Sequence, residues 1–545
     1  MGSLRWRRNR HWVALVLLVG VGLLVVAGNW RISAFTSSEQ SSIRSERTTN
    51  IAGSVELLDD ALMHRVEVQF DPAEYDALIR DYQEDGEKTY IDATVTIDGT
   101  VVRQAAVRLK GNSTLMSLRR DSPFGGGREG RGPMRPPSEC VPDEFREIMG
   151  GGTPAATPQA GATPAAVAIA APGPGGPFGG NVSAEDPASL PWLISFDENV
   201  EGRRFQGQSE IAVRPVLGTK TMLNESLALS LVGAAGEPTQ RSSYASFSVN
   251  GSEPSLRLVL ESPGDEFVDR GFGGDGALYK ALSTGSFDYL GDDPTLYETS
   301  FSQVTSRNHL DLKPVIDLVK WVNEASDAEF AAGLADRVDV GSLARYIALQ
   351  ELLDNFDDMA GPGKNYYLWY DLGSRRFTVL NWDMNLALSD MGGGPGGGRG
   401  PGGMDSAAVE EFRACLDRVR AAEGDDGADG ARRGGGDPGG MRMGHPLKER
   451  FLAAPEFKAL YAEQYAAVYG ALYGSGFAER ELGRLSGIVT STGLVDATTI
   501  ENDVSLLRTR LEDIAAEGPV PTVETATPEV GREDLATPRA TPVAR

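Results

Sequence analysis

The chain has 545 residues, 41% hydrophobic and 24% charged, which is enough for one large globular domain or two ordinary ones and excludes a chain disordered throughout. Its formal net charge of −25 argues against nucleic acid as a partner, because phosphate binding needs clustered Lys and Arg. The 66 Gly and 31 Pro exceed ordinary usage and are concentrated in a few tracts, so the folded part is smaller than the length suggests.

Residues 1–32 predict a basic cytoplasmic stub followed by a transmembrane helix. Four arginines between Arg5 and Arg10 precede an uninterrupted apolar run, Trp12–Gly28. At about 1.5 Å per residue this run barely crosses a hydrocarbon core, which suits a signal-anchor or a long signal peptide. No clean small-x-small cleavage site follows, so we favour a retained anchor. Because the positive flank stays in the cytoplasm, we expect a single-pass cell-membrane protein with the bulk of the chain extracytoplasmic.

After a polar stalk, residues 33–54, we expect one folded domain of the α+β class over residues 55–515. Cap, turn and periodicity signals predict its main elements. These are a strand at His64–Phe70, a helix at Asp71–Arg80, two strands within Thr94–Lys110 around Asp98-Gly99, strands Tyr244–Val249 and Leu256–Leu260 joined at Asn250-Gly251, and a helix Ser342–Asp354.

Three segments are predicted to be disordered, because Gly, Pro, Ala and Thr cannot build a core. Two are inserts in the folded domain, at about 123–181 and 392–444, and the third is a Thr/Pro-rich tail over 516–545. Each insert carries one of the two cysteines, Cys140 and Cys415. In an oxidising compartment these two pair or remain unrelated thiols, and the sequence leaves both alternatives open.

The most informative segment runs from the end of the predicted helix to Asp383. An acidic helix end containing Asp357 is followed by a Gly-Pro-Gly loop, then Asn365 and an aromatic hairpin that delivers Asp383. Transfer of a phosphoryl group to a hydroxyl needs a carboxylate to orient the acceptor and oxygen ligands to hold Mg²⁺. An Asp, a later Asn, a hairpin and a second Asp also follow the order found in protein kinases. The alternative interpretation is that these residues only cap or terminate secondary structure.

A series of short motifs resembles the spore coat protein CotH kinase family over most of residues 60 to 510. In chain order the motifs are Val107–Thr114, Phe247–Gly251, Leu260-Glu261, Gly276–Lys280, Asn355–Asp357, Lys364–Tyr367, Asn381–Asp383 and His445–Leu447.

The resemblance implies an atypical protein-kinase-like fold that uses ATP with Mg²⁺ or Mn²⁺. It assigns Asp357 to catalysis and Asp383 to the metal, with Asn365 as second metal ligand. Candidate nucleotide-binding residues are Lys110, Arg108 and Lys280, with Glu225 on the helical run Thr219–Leu231 as the carboxylate that orients a lysine. The alternative interpretation of a lone lysine is an ordinary solvated side chain.

Departures from the family pattern leave a second function open. The family usually continues Trp-Asp-x-Asp, whereas this chain has Asn385, and the loss of a carboxylate weakens a second metal site. Two hypotheses follow. One is a membrane-anchored, extracytoplasmic kinase that phosphorylates Ser or Thr of a surface or envelope protein. The alternative is a catalytically impaired kinase-like scaffold that acts as a structural or binding protein at the cell surface.

Overall fold

The computed structural model describes residues 48–111, 113–119, 182–217, 219–306, 311–389, 399–400, 404–405 and 444–520. The predicted transmembrane segment, both cysteines, most of the stalk and inserts and nearly all of the tail lie outside the described residues. Within the part that is described, no helix has the length and apolar character needed to cross a membrane.

The fold is a mixture of strands and helices, as predicted. The strands are β1 (Thr49–Ile51), β2 (Met63–Gln69), β3 (Ile91–Ile97), β4 (Thr100–Leu109), β5 (Trp192–Ser195), β6 (Arg203–Phe205), β7 (Glu210–Val213), β8 (Ser242–Val249), β9 (Ser255–Glu261), β10 (Gly276–Ala281), β11 (Phe301–Gln303), β12 (Tyr366–Asp371), β13 (Phe377–Asn381), β14 (Arg399–Gly400) and β15 (Met404–Asp405). The helices are α1 (Pro72–Asp85), α2 (Leu223–Ala234), α3 (Asp265–Gly271), α4 (Lys313–Glu324), α5 (Asp327–Gly333), α6 (Val340–Leu352), α7 (Pro446–Ala453), α8 (Pro455–Tyr469), α9 (Phe477–Thr492) and α10 (Ala497–Glu517).

Seven strands close into a barrel in the order β2-β3-β4-β5-β7-β9-β8. All neighbours are antiparallel except β2 and β8, which run parallel. Val66 and Val68 alternate with more exposed residues along β2, because successive side chains of a strand point to opposite faces. The predicted turns at Asp98-Gly99 and Asn250-Gly251 both have left-handed backbone angles, which is the geometry of a tight two-residue hairpin.

A second sheet, antiparallel in the order β11-β10-β12-β13, joins the helices in a larger core. Helix α6 lies in the middle of this core, with nine of its thirteen residues buried. Asp339 caps α6 by accepting a hydrogen bond from the Ser342 amide at 3.0 Å. The helix ends at Leu352, two residues before the predicted end, because Asp354 takes a left-handed backbone conformation.

Two predicted boundaries differ slightly from the structure. Strand β1, within the predicted stalk, pairs in parallel with β6, so the folded domain includes residues before its predicted start at residue 55. Helix α10 continues to Glu517, two residues into the predicted tail. In both cases packing against distant parts of the chain orders residues whose local composition is polar.

The barrel and the second sheet position the candidate site. Strand β5 is antiparallel to both β4 and β7, so β4 and β7 run in the same direction and end at the same rim of the barrel. Lys110 follows β4 and Arg214 follows β7, and both therefore leave the barrel at this rim. The hairpin β12–β13 delivers Asp383 to the same place, where it contacts Arg214.

Candidate functional site

Asp357 lies in a tight loop that wraps its carboxylate. Asn365 donates its side-chain amide to Asp357 Oδ2 at 2.9 Å, and the Gly363 backbone amide donates to Oδ1. A Cβ atom on Gly363 would lie 2.4 Å from Asp357 Oδ2, and one on Gly361 would lie 2.5 Å from the Phe356 carbonyl oxygen. The Gly-Pro-Gly sequence is thus required by the close approach of the loop to the carboxylate.

Burial, together with the nearby charges of Asp383 and Asp358, raises the pKa of Asp357 to about 7, although hydrogen bonds from Gly363 and Asn365 oppose the shift. A carboxylate with a pKa near neutrality is suited to proton transfer at neutral pH. The charge of Asp383 reaches Asp357, so the fold brings the two predicted site aspartates near each other.

Asp383 follows β13 in a left-handed backbone conformation, at φ 55°, immediately before a single 3₁₀ turn at Met384–Leu386. The side-chain amide of Asn224, in α2, stabilises this turn. It donates hydrogen bonds to the carbonyl oxygens of Asn385 at 2.7 Å and Ala387 at 3.2 Å. The departure from the family pattern at Asn385 therefore lies in a well-anchored turn beside Asp383.

Arg214 is the principal site residue that the sequence reasoning missed. Its guanidinium donates to the Glu225 carboxylate at 2.8 Å and also forms an ion pair with Asp383. Burial opposes the charged form, but the carboxylates of Asp383 and Glu225 raise the pKa of Arg214 above its ordinary value. We had expected Glu225 to orient a lysine, and the structure corrects this to an arginine. No strand was predicted before Arg214, so no signal in the sequence marked this residue.

Lys110 and Lys280 lie on the ring of Trp382, the residue before Asp383. Their Nζ atoms are 5.7 and 5.0 Å from the ring centroid. Lys280 reaches this place from β10, where it is directly opposite Tyr367 of β12. The two lysines come from the barrel and from the second sheet, respectively, so the site is built where these two layers meet.

The neighbouring basic residues lower the pKa of Lys110 and of Lys280. Burial, together with the charges of Lys280, Arg214 and Arg108, lowers the pKa of Lys110 to about 7, against the opposing charge of Glu210. Burial likewise lowers the pKa of Lys280, where Asp383 opposes and Arg214 and Arg108 reinforce the shift. Cations held this close in a partly buried setting form a favourable place for an anion.

Arg108 and a second residue missed by the sequence reasoning, Lys88, complete the basic group. Arg108 lies over the Tyr90 ring at 5.2 Å and donates to the Leu109 carbonyl oxygen at 3.3 Å. Lys88 donates to the Gly111 carbonyl oxygen, and burial together with Arg108 and Lys280 lowers its pKa to about 8. No motif marks Lys88 in the sequence, since it lies between α1 and β3.

The His445-Pro-Leu motif supports the loop rather than the reacting atoms. His445 is buried and its Nε2 lies 3.1 Å from the Tyr366 hydroxyl, while its ring packs 4.4 Å from Phe287. Burial lowers the pKa of His445 well below its ordinary value. Lys448, one turn further, pairs with Asp358. These contacts fix helix α7 to the loop that carries Asp357.

The side-chain oxygens of Asn365 and Asp383 are of the type that binds a divalent cation, and Asp357 lies beside Asn365. Carboxylate and amide oxygens are the ligands that Mg²⁺ and Mn²⁺ take, and a cation would relieve the repulsion that raises the pKa of Asp357. Among the described residues, no group of three or more His, Cys, Asp or Glu side chains is arranged to hold a metal ion. The set matches a site in which one or two carboxylates share the ion with substrate phosphates.

A family model described as CotH kinase protein matches residues 178–486. The match begins after β4, so Lys88, Arg108 and Lys110 lie outside it. The inner spore coat protein H of Bacillus subtilis (strain 168) is 23% identical over 186 residues, which cover 33% of this chain. The matched part spans 50% of that relative's own length.

Two solved structures align with this chain at low similarity. One is the proinflammatory kinase CtkA of Helicobacter pylori, with 12% identity, a TM-score of 0.26 and coverage of 59% of this chain and 91% of that chain. The other is the Shewanella oneidensis MR-1 toxin–antitoxin complex of HipA, HipB and operator DNA. This match has 11% identity and a TM-score of 0.24, and it covers 59% of this chain and 57% of that chain. At these TM-scores the alignments establish no shared fold.

Proposed function

Because the chain belongs to the CotH kinase protein family, we propose that it is an atypical ATP-dependent protein kinase. The observation that carries this proposal is the meeting of two oppositely charged groups at one place. The acidic group contains Asp357 and Asp383, and the basic group contains Lys110 and Lys280. A phosphoryl transferase needs this combination, with carboxylates for metal and acceptor and cations for phosphate.

In this proposal Asp357 accepts the proton of the attacking hydroxyl. Its raised pKa makes it a better base than an exposed carboxylate, and Asn365 holds its orientation. Asp383 and Asn365 hold Mg²⁺ or Mn²⁺, which when bound neutralises phosphate charge. Lys110, Lys280, Arg108 and Lys88 bind the nucleotide phosphates.

Arg214 links the two halves of the site in this scheme. It takes the place that we had assigned to a lysine beside Glu225, and it also contacts the proposed metal ligand Asp383. We therefore assign it to positioning: it holds the barrel rim, helix α2 and the Asp383 turn in one arrangement.

The acceptor, the membrane anchor and the location remain parts of the same proposal. We propose Ser or Thr of a surface or envelope protein as the acceptor, with the protein held in the cell membrane by residues 1–32 and the kinase domain extracytoplasmic. Membrane fractionation of the full chain tests the anchor. A soluble mature form starting near Ser33 to Ser37 contradicts it.

The alternative, an impaired scaffold, is favoured by one specific feature, the Asn385 departure in the turn after Asp383. The experiment that separates the two functions uses the purified chain from Ser37 onward with labelled ATP and Mg²⁺ or Mn²⁺. Metal-dependent ATP binding and label transfer to protein support the kinase. If the protein shows no metal-dependent ATP binding at millimolar ATP, the kinase function is excluded and the scaffold function is supported.

A further inference from the structure

The two proposed site aspartates each follow an asparagine by two residues. The segments are Asn355-Phe-Asp357, after helix α6, and Asn381-Trp-Asp383, at the end of strand β13. The two asparagines are 26 positions apart in the chain, yet both contact one residue, Gln350, in the last turn of α6.

Gln350 bridges the two asparagines through its side-chain amide. Asn355 Nδ2 donates to Gln350 Oε1 at 2.7 Å, and Gln350 Nε2 donates to Asn381 Oδ1 at 2.7 Å. Reversing all three amide groups together preserves both hydrogen bonds, so the bridge exists in either of these two concerted orientations.

The bridge lies in the interior, where polar side chains are costly unless they are hydrogen bonded. Gln350 is 2% exposed, Asn355 5% and Asn381 8%. The bridge leaves Asn355 Oδ1 and Asn381 Nδ2 without a hydrogen-bond partner in the described part of the chain. Apolar side chains of the same size would avoid this cost, so core stability alone does not account for three amides here.

The bridge joins the two loops of the site. Asn355 begins the loop that carries Asp357, and its backbone amide also donates to the Gln350 carbonyl oxygen at 2.9 Å. Asn381 ends β13 and is paired across the hairpin with Tyr366, the residue after Asn365. A rigid link at this point limits how far Asp383 can move relative to Asp357 and Asn365.

We propose that Gln350 is a positioning residue that sets the distance between the Asp357 loop and the Asp383 turn. This inference rests on the proposed function. Gln350 touches neither aspartate and acts through Asn355 and Asn381. Residues that hydrogen-bond directly to metal ligands change metal affinity or activity by about 10-fold to 100-fold when they are lost. Gln350 lies one contact further out, so we expect an effect near the lower bound of that range.

The test compares three variants of the full chain. Gln350→Leu keeps the volume and removes both hydrogen bonds. Gln350→Glu keeps a side chain that bonds both asparagines, because the buried group has two oxygens and, when protonated, a donor. Gln240→Leu is the matched control, since Gln240 is also buried but donates to the Glu261 carbonyl oxygen away from the site.

Mn²⁺ binding in the presence of a non-hydrolysable ATP analogue is measured by electron paramagnetic resonance, with kcat, KM and melting temperature alongside. We expect Gln350→Leu to weaken Mn²⁺ binding and lower kcat by about 10-fold, with a smaller change in the KM for ATP. We expect Gln350→Glu to recover most of the loss, and Gln240→Leu to lower only the melting temperature.

Three outcomes overturn the inference. If Gln350→Leu loses thermal stability but keeps the Mn²⁺ affinity and kcat of the wild type, Gln350 is only structural. If Gln350→Glu fails to recover binding while remaining folded, the double hydrogen bond is not the cause. A wild-type chain that binds neither Mn²⁺ nor nucleotide overturns the proposed function and this inference together, which distinguishes it from the other two.

Discussion

Asp383, which follows the last strand of the second sheet, forms an ion pair with Arg214 at the rim of the barrel. This contact connects two elements 169 residues apart in the chain. It also places a cation on the residue that we propose as a metal ligand, so a bound metal and Arg214 share the negative charge of Asp383.

Replacing Asp383 by Ala should separate metal binding from folding. The change removes a charged oxygen ligand, so metal-dependent nucleotide binding and transfer should both fall by at least about 10-fold. The fold should persist, because Arg214 keeps its hydrogen bonds to Glu225. Titration of Mn²⁺ and nucleotide by calorimetry measures the effect. Asp317→Ala, at a surface pair with Lys313, is the control and should bind as the wild type does.

Replacing Asp357 by Asn should affect transfer rather than binding. The amide keeps the shape of the side chain but cannot accept a proton, so the transfer rate should drop on the order of 100-fold or more while nucleotide affinity stays nearly unchanged. Single-turnover transfer and equilibrium nucleotide binding give the two quantities. Undiminished transfer in both this variant and Asp383→Ala would mean that the active site lies elsewhere.

The raised pKa of Asp357 predicts how activity and stability depend on pH. The base is the carboxylate, so the transfer rate should fall as the pH drops below about 7. For stability the sign is opposite: the folded state holds this proton up to about pH 7, whereas the unfolded chain releases it near pH 4. The contribution of Asp357 is thus present below about pH 4 and is lost as the pH rises towards 7. Urea denaturation at several pH values should show that the free energy of unfolding falls less between pH 4 and pH 7 in Asp357→Asn than in the wild type.

The lowered pKa of Lys110 predicts proton uptake when a nucleotide binds. Near pH 8 much of the free protein has a neutral Lys110, and a bound phosphate favours the ammonium form. Binding at pH 8 should therefore take up a fraction of a proton, approaching one. Lys110→Arg stays charged and should lose this uptake, while the titration of the nucleotide itself cancels between the two proteins. Calorimetry in buffers of different ionisation enthalpy measures the difference, and equal uptake in both proteins would refute the role of Lys110.

The pair Arg214–Glu225 should show strong non-additivity in stability. Removing one partner leaves the other charge buried, which costs about 3–5 kcal/mol, whereas an apolar replacement of both costs much less. Arg214→Met leaves the buried Glu225 carboxylate without its cation and should destabilise the fold more than the double variant does. Glu225→Met should cost less than Arg214→Met, because Arg214 keeps its ion pair with Asp383. Chemical denaturation of the four proteins gives the coupling free energy. Independent, additive effects would show that the ion pair does not hold the barrel rim to α2.

Local patterns in the sequence determined several of the helices and strands that the structure describes. The hairpins at Asp98-Gly99 and Asn250-Gly251 were predictable because these residues tolerate the left-handed conformation that a short turn requires. Helix α6 was predictable from its apolar spacing, within two residues at each end. The order Asp357, Asn365, Asp383 was also visible in the sequence, because these residues fall in one segment of fewer than 30 positions.

Only the tertiary structure decided which residues from distant segments meet these aspartates. Arg214 replaces the expected lysine beside Glu225, Lys88 joins the basic group, and Gln350 connects two asparagines through the interior. None of these partners is marked by a local pattern, because an isolated Arg, Lys or Gln has the same sequence signature on a solvated surface as in a buried contact. Strand pairing across the closed barrel, and the packing of α6 against β13, set their positions, and these depend on contacts between residues far apart in the chain.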